Sequence, residues 1–260
     1  MCATCGCGDD GAVITIAGET APHDHHHPHP HPHPHDHPHT ETVTLEQKVL
    51  AKNDALAHRN RQWLAEREIL ALNVTSSPGA GKTTVLEHTI RRLGTRHRVS
   101  VIEGDQETLL DANRITAAGA RAVQVNTGAG CHLDAAMIER ALRALDPEPS
   151  SLLFIENVGN LVCPALFDLG EDSKVVVISV TEGTDKPLKY PHMFAAAELV
   201  LVNKIDLLPL RRLRHGSLCP PRPFGESECT NRARLRHHGG DGMESWFQWI
   251  DDRALKLAKM

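Results

Sequence analysis

Two rhythms of apolar and polar residues divide this chain. Segments 69–74, 99–102, 151–155, 174–180 and 198–202 are apolar at nearly every position and rich in Val, Ile and Leu. Runs of that kind read as strands buried on both faces, as in a parallel sheet. Segment 121–125 alternates and adds a further strand. Between them, 83–93 and 133–145 carry helical spacing, with Leu133, Met137, Ala141 and Leu145 on one face, and 243–257 closes the chain in the same way. Upstream, Thr44-Leu45-Glu46-Gln47 fits a capping box, so a helix is predicted to begin at Thr44. Leu45, Val49, Lys52 and Leu56 share one face of it, with Trp63, Leu64 and Leu70 further along, and this helix is expected to pack the amino-terminal arm on the domain. Strand and helix in alternation predict an α/β fold, a three-layer α/β/α domain over 44–260 with a mostly parallel central sheet.

The loop that follows the first buried run reads Ser76-Ser77-Pro78-Gly79-Ala80-Gly81-Lys82-Thr83-Thr84. A strand, a small-residue loop and Lys-Thr opening a helix is the P-loop arrangement, in which successive backbone N–H groups and the helix N-terminus cradle phosphates. Gly79, Ala80, Gly81, Lys82, Thr83 and Thr84 are therefore the expected phosphate-binding residues. Lys82 would reach the β- and γ-phosphates, and the Thr83 hydroxyl would hold Mg²⁺. Ser76 stands where the usual pattern has its first Gly, while Gly79 and Gly81 still free the backbone near the phosphates. The plain alternative is a Gly-rich turn before an ordinary helix. Glu103-Gly104-Asp105 ends a strand, which puts Asp105 on the ligand side of such a sheet as a candidate for Mg²⁺ or water positioning, or else as a turn residue. Glu156 ends another strand and resembles the acidic residue that closes the Mg²⁺ site from the second side. Lys82, Asp105 and Glu156 are the catalytic candidates. Beyond the last buried run lies Asn203-Lys204-Ile205-Asp206, an N-K-x-D element. The Asp206 carboxylate would accept from guanine N1–H and the 2-amino group, Asn203 would read the other ring edge, and Lys204 would lie along the ring. Adenine presents no such donor pair, so the element favours GTP over ATP.

Composition narrows the class. Hydrophobic residues at 40% suffice for a core, and a net charge of −5 gives no hint of nucleic-acid binding. No apolar run approaches the ~20 residues that span a membrane. The start, Met1-Cys2-Ala3-Thr4-Cys5, is not a secretory signal, so a cytoplasmic, reducing setting is expected. There, seven cysteines argue for metal or redox chemistry over structural disulfides.

Cysteines and histidines cluster. Cys2, Cys5 and Cys7 lie within six residues, a spacing that folds around a soft or borderline metal ion or else forms a redox-active or incidental group. Ten of the 18 histidines follow: His23, His25, His26, His27, His29, His31, His33, His35, His37 and His39. Proline at alternate positions makes this an extended tract, and dense imidazoles on a flexible chain bind Ni²⁺, Zn²⁺ or Cu²⁺, though a tag or a linker fits too. Residues 1–43 are thus expected to be a disordered, flexible metal-binding region. Cys131-His132 and Cys163 leave the carboxyl ends of two strands, on the nucleotide side. Two thiolates and an imidazole suit Zn²⁺ or Ni²⁺, and separate buried cysteines fit the spacing equally.

Taken together, the Cys2-x-x-Cys5-Gly6-Cys7 start, the His tract, Ser76 to Thr84, Glu103-Gly104-Asp105, Cys131-His132, Glu156 to Pro164 and Asn203 to Asp206 resemble the HypB family of nickel-inserting GTPases. The resemblance implies a dimerising P-loop GTPase with GTP-dependent homodimers, and metal at the amino-terminal thiols and at Cys131, His132 and Cys163. It also implies work with a HypA-type nickel chaperone, delivering Ni²⁺ to the precursor of the [NiFe]-hydrogenase large subunit. Urease-type nickel GTPases share the fold, and a nickel storage or buffering protein is the competing class. Between Leu210 and His238 the composition departs from the family, with seven Arg, no Lys and no strand-like alternation. Such a segment suggests a compensated frameshift, and a sheet lacking one edge strand and part of the guanine pocket.

Overall fold

A computed structural model describes residues 13–16, 39–105, 110–128, 130–210, 234–236 and 241–259. The buried runs form strands β2 (Leu70–Ser76), β3 (Val99–Asp105), β5 (Leu152–Glu156), β6 (Ser173–Ser179) and β7 (Leu199–Asn203), and the alternating one forms β4 (Arg121–Asn126). All pair in parallel, in the order β4-β3-β5-β2-β6-β7. From β2 the chain crosses to β3 on one side and later to β6 on the other, so the order reverses beside β2, where open α/β sheets bind ligands. Helices cover both faces: α2 (Lys82–Leu93), α3 (Leu110–Ala117) and α7 (Asp241–Leu257) contribute to one apolar layer, α1 (His39–Glu66) and α4 (Ala135–Leu145) to the other. Short helices α5 (Lys186–Lys189) and α6 (Pro191–Ala196) lead into β7.

β2, β5 and β6 are buried at every residue and β3 and β4 at all but their ends, as the runs predicted, whereas β7 alternates, with Val200 and Val202 only half-buried. Thr89 on α2 accepts from the Trp246 indole at 2.8 Å, which fastens the closing helix to the helix behind the P-loop. Trp246 is fully buried and packs on Phe154.

Four expectations change. Helix α1 begins at His39, directly after Pro38, and not at Thr44. Its inner face follows the predicted stripe only at the end, where Leu64 is buried and Trp63 packs on the core, whereas Val49 is 41% exposed and Lys52 lies in solvent. Among the described side chains of the helix, the buried ones are Asn53, Ala57, Asn60 and Leu64. The two amides satisfy backbone groups: Asn60 donates to Ala135 O (2.9 Å) and Leu169 O (3.0 Å), and Asn53 accepts from Ala135 N (2.9 Å) and donates to Asp168 O (2.8 Å). In region 1–43, expected to be disordered, Val13–Ile16 forms β1, antiparallel to β4 at one sheet edge. Its Val-Ile-Thr-Ile composition is a strand signal that the flanking Cys and His tracts obscured. At the opposite edge a short β8 (Arg234–Arg236) pairs in parallel with β7, in a segment expected to lack a strand. Ladder hydrogen bonds join backbone groups, so an open edge accepts a partner without side-chain alternation.

Candidate functional site

The P-loop leaves β2 at the centre of the sheet and enters α2. Gly81 precedes the helix with φ 97°, a left-handed geometry that glycine adopts without steric cost. The Lys82 ammonium donates to Ser76 Oγ at 3.0 Å, so the serine in place of the motif's first glycine anchors the motif's own lysine. Two further straps hold the loop. The Asn203 amide donates to Ala80 O at 2.9 Å, and Lys204 Nζ donates to Gly79 O at 2.7 Å. Asn203 was expected to read a base edge, and in this structure its amide binds the P-loop backbone. Lys186 Nζ donates to Ser77 Oγ at 2.8 Å, with Glu182 3.3 Å away.

An open cleft of about 600 Å³ runs over this loop, lined among others by Lys82, Thr83, Glu103, Asp105, Cys131, Glu156 and Asn160. Thr83 Oγ1 donates to Glu156 Oε1 at 2.7 Å, bringing the expected Mg²⁺ hydroxyl and the expected second acid together. Glu103 is almost completely buried beside them. One oxygen of each glutamate, Glu103 Oε2 and Glu156 Oε2, is buried without a hydrogen-bond partner. Burial, aided by the negative charges of Glu156 and Asp105, pushes the Glu103 carboxyl up to about 9. Burial also raises Glu156, opposed by Lys82 and the Thr83 hydroxyl, to about 7. Orphaned carboxylate oxygens that need a positive charge fit a hard divalent cation such as Mg²⁺.

At the rim of the same cleft stand the thiols. Cys131 and His132 lie after β4, just before α4, whose N-terminus is capped by the Asp134 carboxylate accepting from Met137 N at 2.7 Å. Cys163 opens a 3-10 turn in the loop after β5. The Sγ atoms of Cys131 and Cys163 are 3.0 Å apart, and Cys131 Sγ lies 3.7 Å from His132 Nδ1. All three ligand atoms fall within 4.8 Å of one another. Burial lowers the His132 pKa, keeping the imidazole neutral and its lone pair free at neutral pH. Two thiols and an imidazole converging so closely are a donor set for Zn²⁺ or Ni²⁺. Asn160 ties the two loops, donating to Cys131 O at 3.1 Å and accepting from Val162 N at 2.9 Å.

The fold therefore gathers Gly79, Ala80, Gly81, Lys82, Thr83, Thr84, Asp105, Glu156, Asn203 and Lys204 around one loop region, with Cys131, His132 and Cys163 at its edge. Asp206 is exposed in the short turn Ile205–Leu210. Cys2, Cys5, Cys7 and the histidines from His23 to His37 lie outside the described residues, and His39 opens α1. Sequence reading missed four residues of the cleft region: Glu103, Asn160, Lys186 and Arg114. Glu103 was visible in the strand-end motif but carried no role. The Arg114 guanidinium meets Asp111 (2.9 Å), Glu87 (2.8 Å) and Thr84 (3.2 Å), a convergence that no spacing announces.

Sheet order and loop together make this a P-loop nucleotide-binding α/β protein, one with metal-type ligands beside its cleft. The family described as "CobW/HypB/UreG, nucleotide-binding domain" matches residues 70–216. The hydrogenase maturation factor HypB of Rhizobium leguminosarum bv. viciae is 52% identical over 216 residues, covering 83% of this chain and 72% of that protein. HypB of Escherichia coli K12 is 52% identical over 217 residues, covering 80% and 71%. The crystal structure of HypB from Archaeoglobus fulgidus superposes with TM-score 0.68 at 35% identity, over 78% of this chain and 99% of that one. HypB from Helicobacter pylori, solved in complex with nickel, gives TM-score 0.68 at 34% identity, over 79% and 96%. The chain belongs to the CobW/HypB/UreG family and, within it, to the HypB hydrogenase maturation factors. Among the described residues no helix is long and apolar enough to cross a membrane.

Proposed function

We infer that this chain is a GTP-hydrolysing nickel metallochaperone, assisting insertion of Ni²⁺ into the large subunit of [NiFe]-hydrogenase. The observation that carries this reading is one shared cleft: Cys131 lines the same cavity as Gly79, Lys82 and Thr83. The N-terminus of α2 and the N–H groups of the P-loop offer a cradle for phosphates, and Lys82 adds a positive charge beside it. The Asp206 carboxylate, which accepts from guanine N1–H and the 2-amino group, favours guanine over adenine. Thr83, Asp105 and Glu156 would hold Mg²⁺, which would supply charge neutralisation at the phosphates. Lys82 stabilises charge on the transferred group, and Asp105 and Glu156 position the attacking water.

Nickel is the cargo. Cys131, His132 and Cys163 hold it, with Zn²⁺ as the competing occupant. Through Asn160 and the loops it joins, the presence of a γ-phosphate alters the grip of the thiolates. Cys2, Cys5, Cys7 and the His tract supply further nickel capacity. The partners are a HypA-type nickel chaperone, the hydrogenase large-subunit precursor and a second copy of the chain in a GTP-dependent dimer, all in the cytoplasm.

The test is nickel and zinc titration of the full chain, empty, GDP-loaded and loaded with a non-hydrolysable GTP analogue, beside Cys163→Ser. Metal constants that differ between nucleotide states, and lose that difference in Cys163→Ser, support the reading. Identical constants in all three states refute it.

A further inference from the structure

Lys174 is the second residue of β6, with its side chain only 9% exposed. A buried ammonium is retained only when its donors are met, and here they converge on the loop that carries Cys163. Lys174 Nζ donates to Pro164 O at 2.7 Å and to Phe167 O at 3.3 Å, with Glu171 Oε1 at 3.6 Å. Pro164 is the neighbour of Cys163, and the Phe167 ring lies on the His132 imidazole with centroids 4.0 Å apart. A single charge thus fixes the backbone beside one thiol and beneath the ring that packs the imidazole.

Glu171 carries the hold onward. It accepts from Leu169 N at 2.7 Å and from the Asn73 amide at 3.0 Å, on the strand that leads into the P-loop. Asn73 accepts in turn from Asn157 at 3.4 Å, whose own oxygen accepts from Leu133 N at 3.2 Å, next to His132. The network therefore reaches both ligand-bearing loops from behind.

We propose that Lys174, paired with Glu171, is a positioning residue for the Cys131–His132–Cys163 metal site, clamping the Cys163 loop in its ligating geometry. The proposal rests on the metal-site reading given above. Groups that orient metal ligands through hydrogen bonds are worth roughly 10- to 100-fold in affinity when removed.

The experiment uses the full chain with Cys2, Cys5, Cys7, Cys219 and Cys229 replaced by Ser, so that sulfur-to-nickel charge-transfer absorption reports this site alone. Two variants of that parent are titrated with Ni²⁺: Lys174→Met, and Lys174→Met with Glu171→Gln, which removes the unpaired carboxylate and its cost to folding. Both are expected to bind roughly 10- to 100-fold more weakly with an altered absorption band, while the double variant melts close to the parent. If the double variant regains the parent's constant and band along with its stability, Lys174 is only structural and the proposal falls. It falls equally if Lys174→Met binds as the parent does. A parent with no such band on adding Ni²⁺ sinks the metal-site reading and this proposal with it.

Discussion

Glu103→Gln makes the nucleotide-free protein more stable, by an amount that grows with pH. Glu103 is 2% exposed and faces the negative charges of Glu156 and Asp105, which with burial push its carboxyl from 4.5 to about 9. A folded-state value above the unfolded one means that the folded protein binds the extra proton. Its contribution is fully present below about pH 4.5 and is lost as pH rises toward about 9. Each pH unit in that window costs about 1.4 kcal/mol, so the interval from about pH 5 to about pH 8 costs about 4 kcal/mol. This is an upper value, because water in the open cleft relieves part of the burial. Gln keeps the size of the side chain and cannot ionise, so the share of the slope that Glu103 supplies disappears and that of Glu156 stays common to both proteins. Urea unfolding of both proteins across that interval, without nucleotide or metal, measures it. A stability difference that stays constant with pH would refute the reasoning.

Gly81→Ala meets two penalties: a left-handed backbone at φ 97°, and a methyl group driven into the Asn203 amide. The first costs about 1–2 kcal/mol and loss of the bond to Ala80 about 1 more, so thermal melting should drop by roughly 5–10 °C. An unchanged melting temperature contradicts that. Trp246→Ala should cost about 3–5 kcal/mol in denaturant unfolding, by emptying a fully buried position against Phe154. Trp246→Phe, which loses mainly the bond to Thr89, should cost only about 1–2 kcal/mol.

What the sequence revealed follows from where each signal resides. Central strands are buried on both faces, so 152–156 and 173–179 announced themselves as continuous apolar runs. The P-loop was legible because its chemistry needs neighbouring residues in a fixed order. Asn53 and Asn60 stayed hidden because they are polar residues on a buried face, satisfied by backbone groups distant in the chain. Lys174 was absorbed into the apolar run that it begins, and its role depends on two carbonyls that only the folded loop delivers. Cys131 and Cys163 lay between these cases, since the topology placed their loops on one side but their 3.0 Å approach is set only by how the two loops fold. Edge strands β1 and β8 were the least visible, being short and held by backbone pairing.

The straps from Asn203 to Ala80 and from Lys204 to Gly79 join the loop after β7 to the P-loop, like the two jaws of a calliper. On the proposed reading, the gap between whatever meets a base and whatever meets its phosphates is set during folding, so less ordering entropy is lost on arrival of a ligand of matching span. On the guanine reading proposed above, pyrophosphate or guanosine alone would meet one jaw and gain nothing from the other.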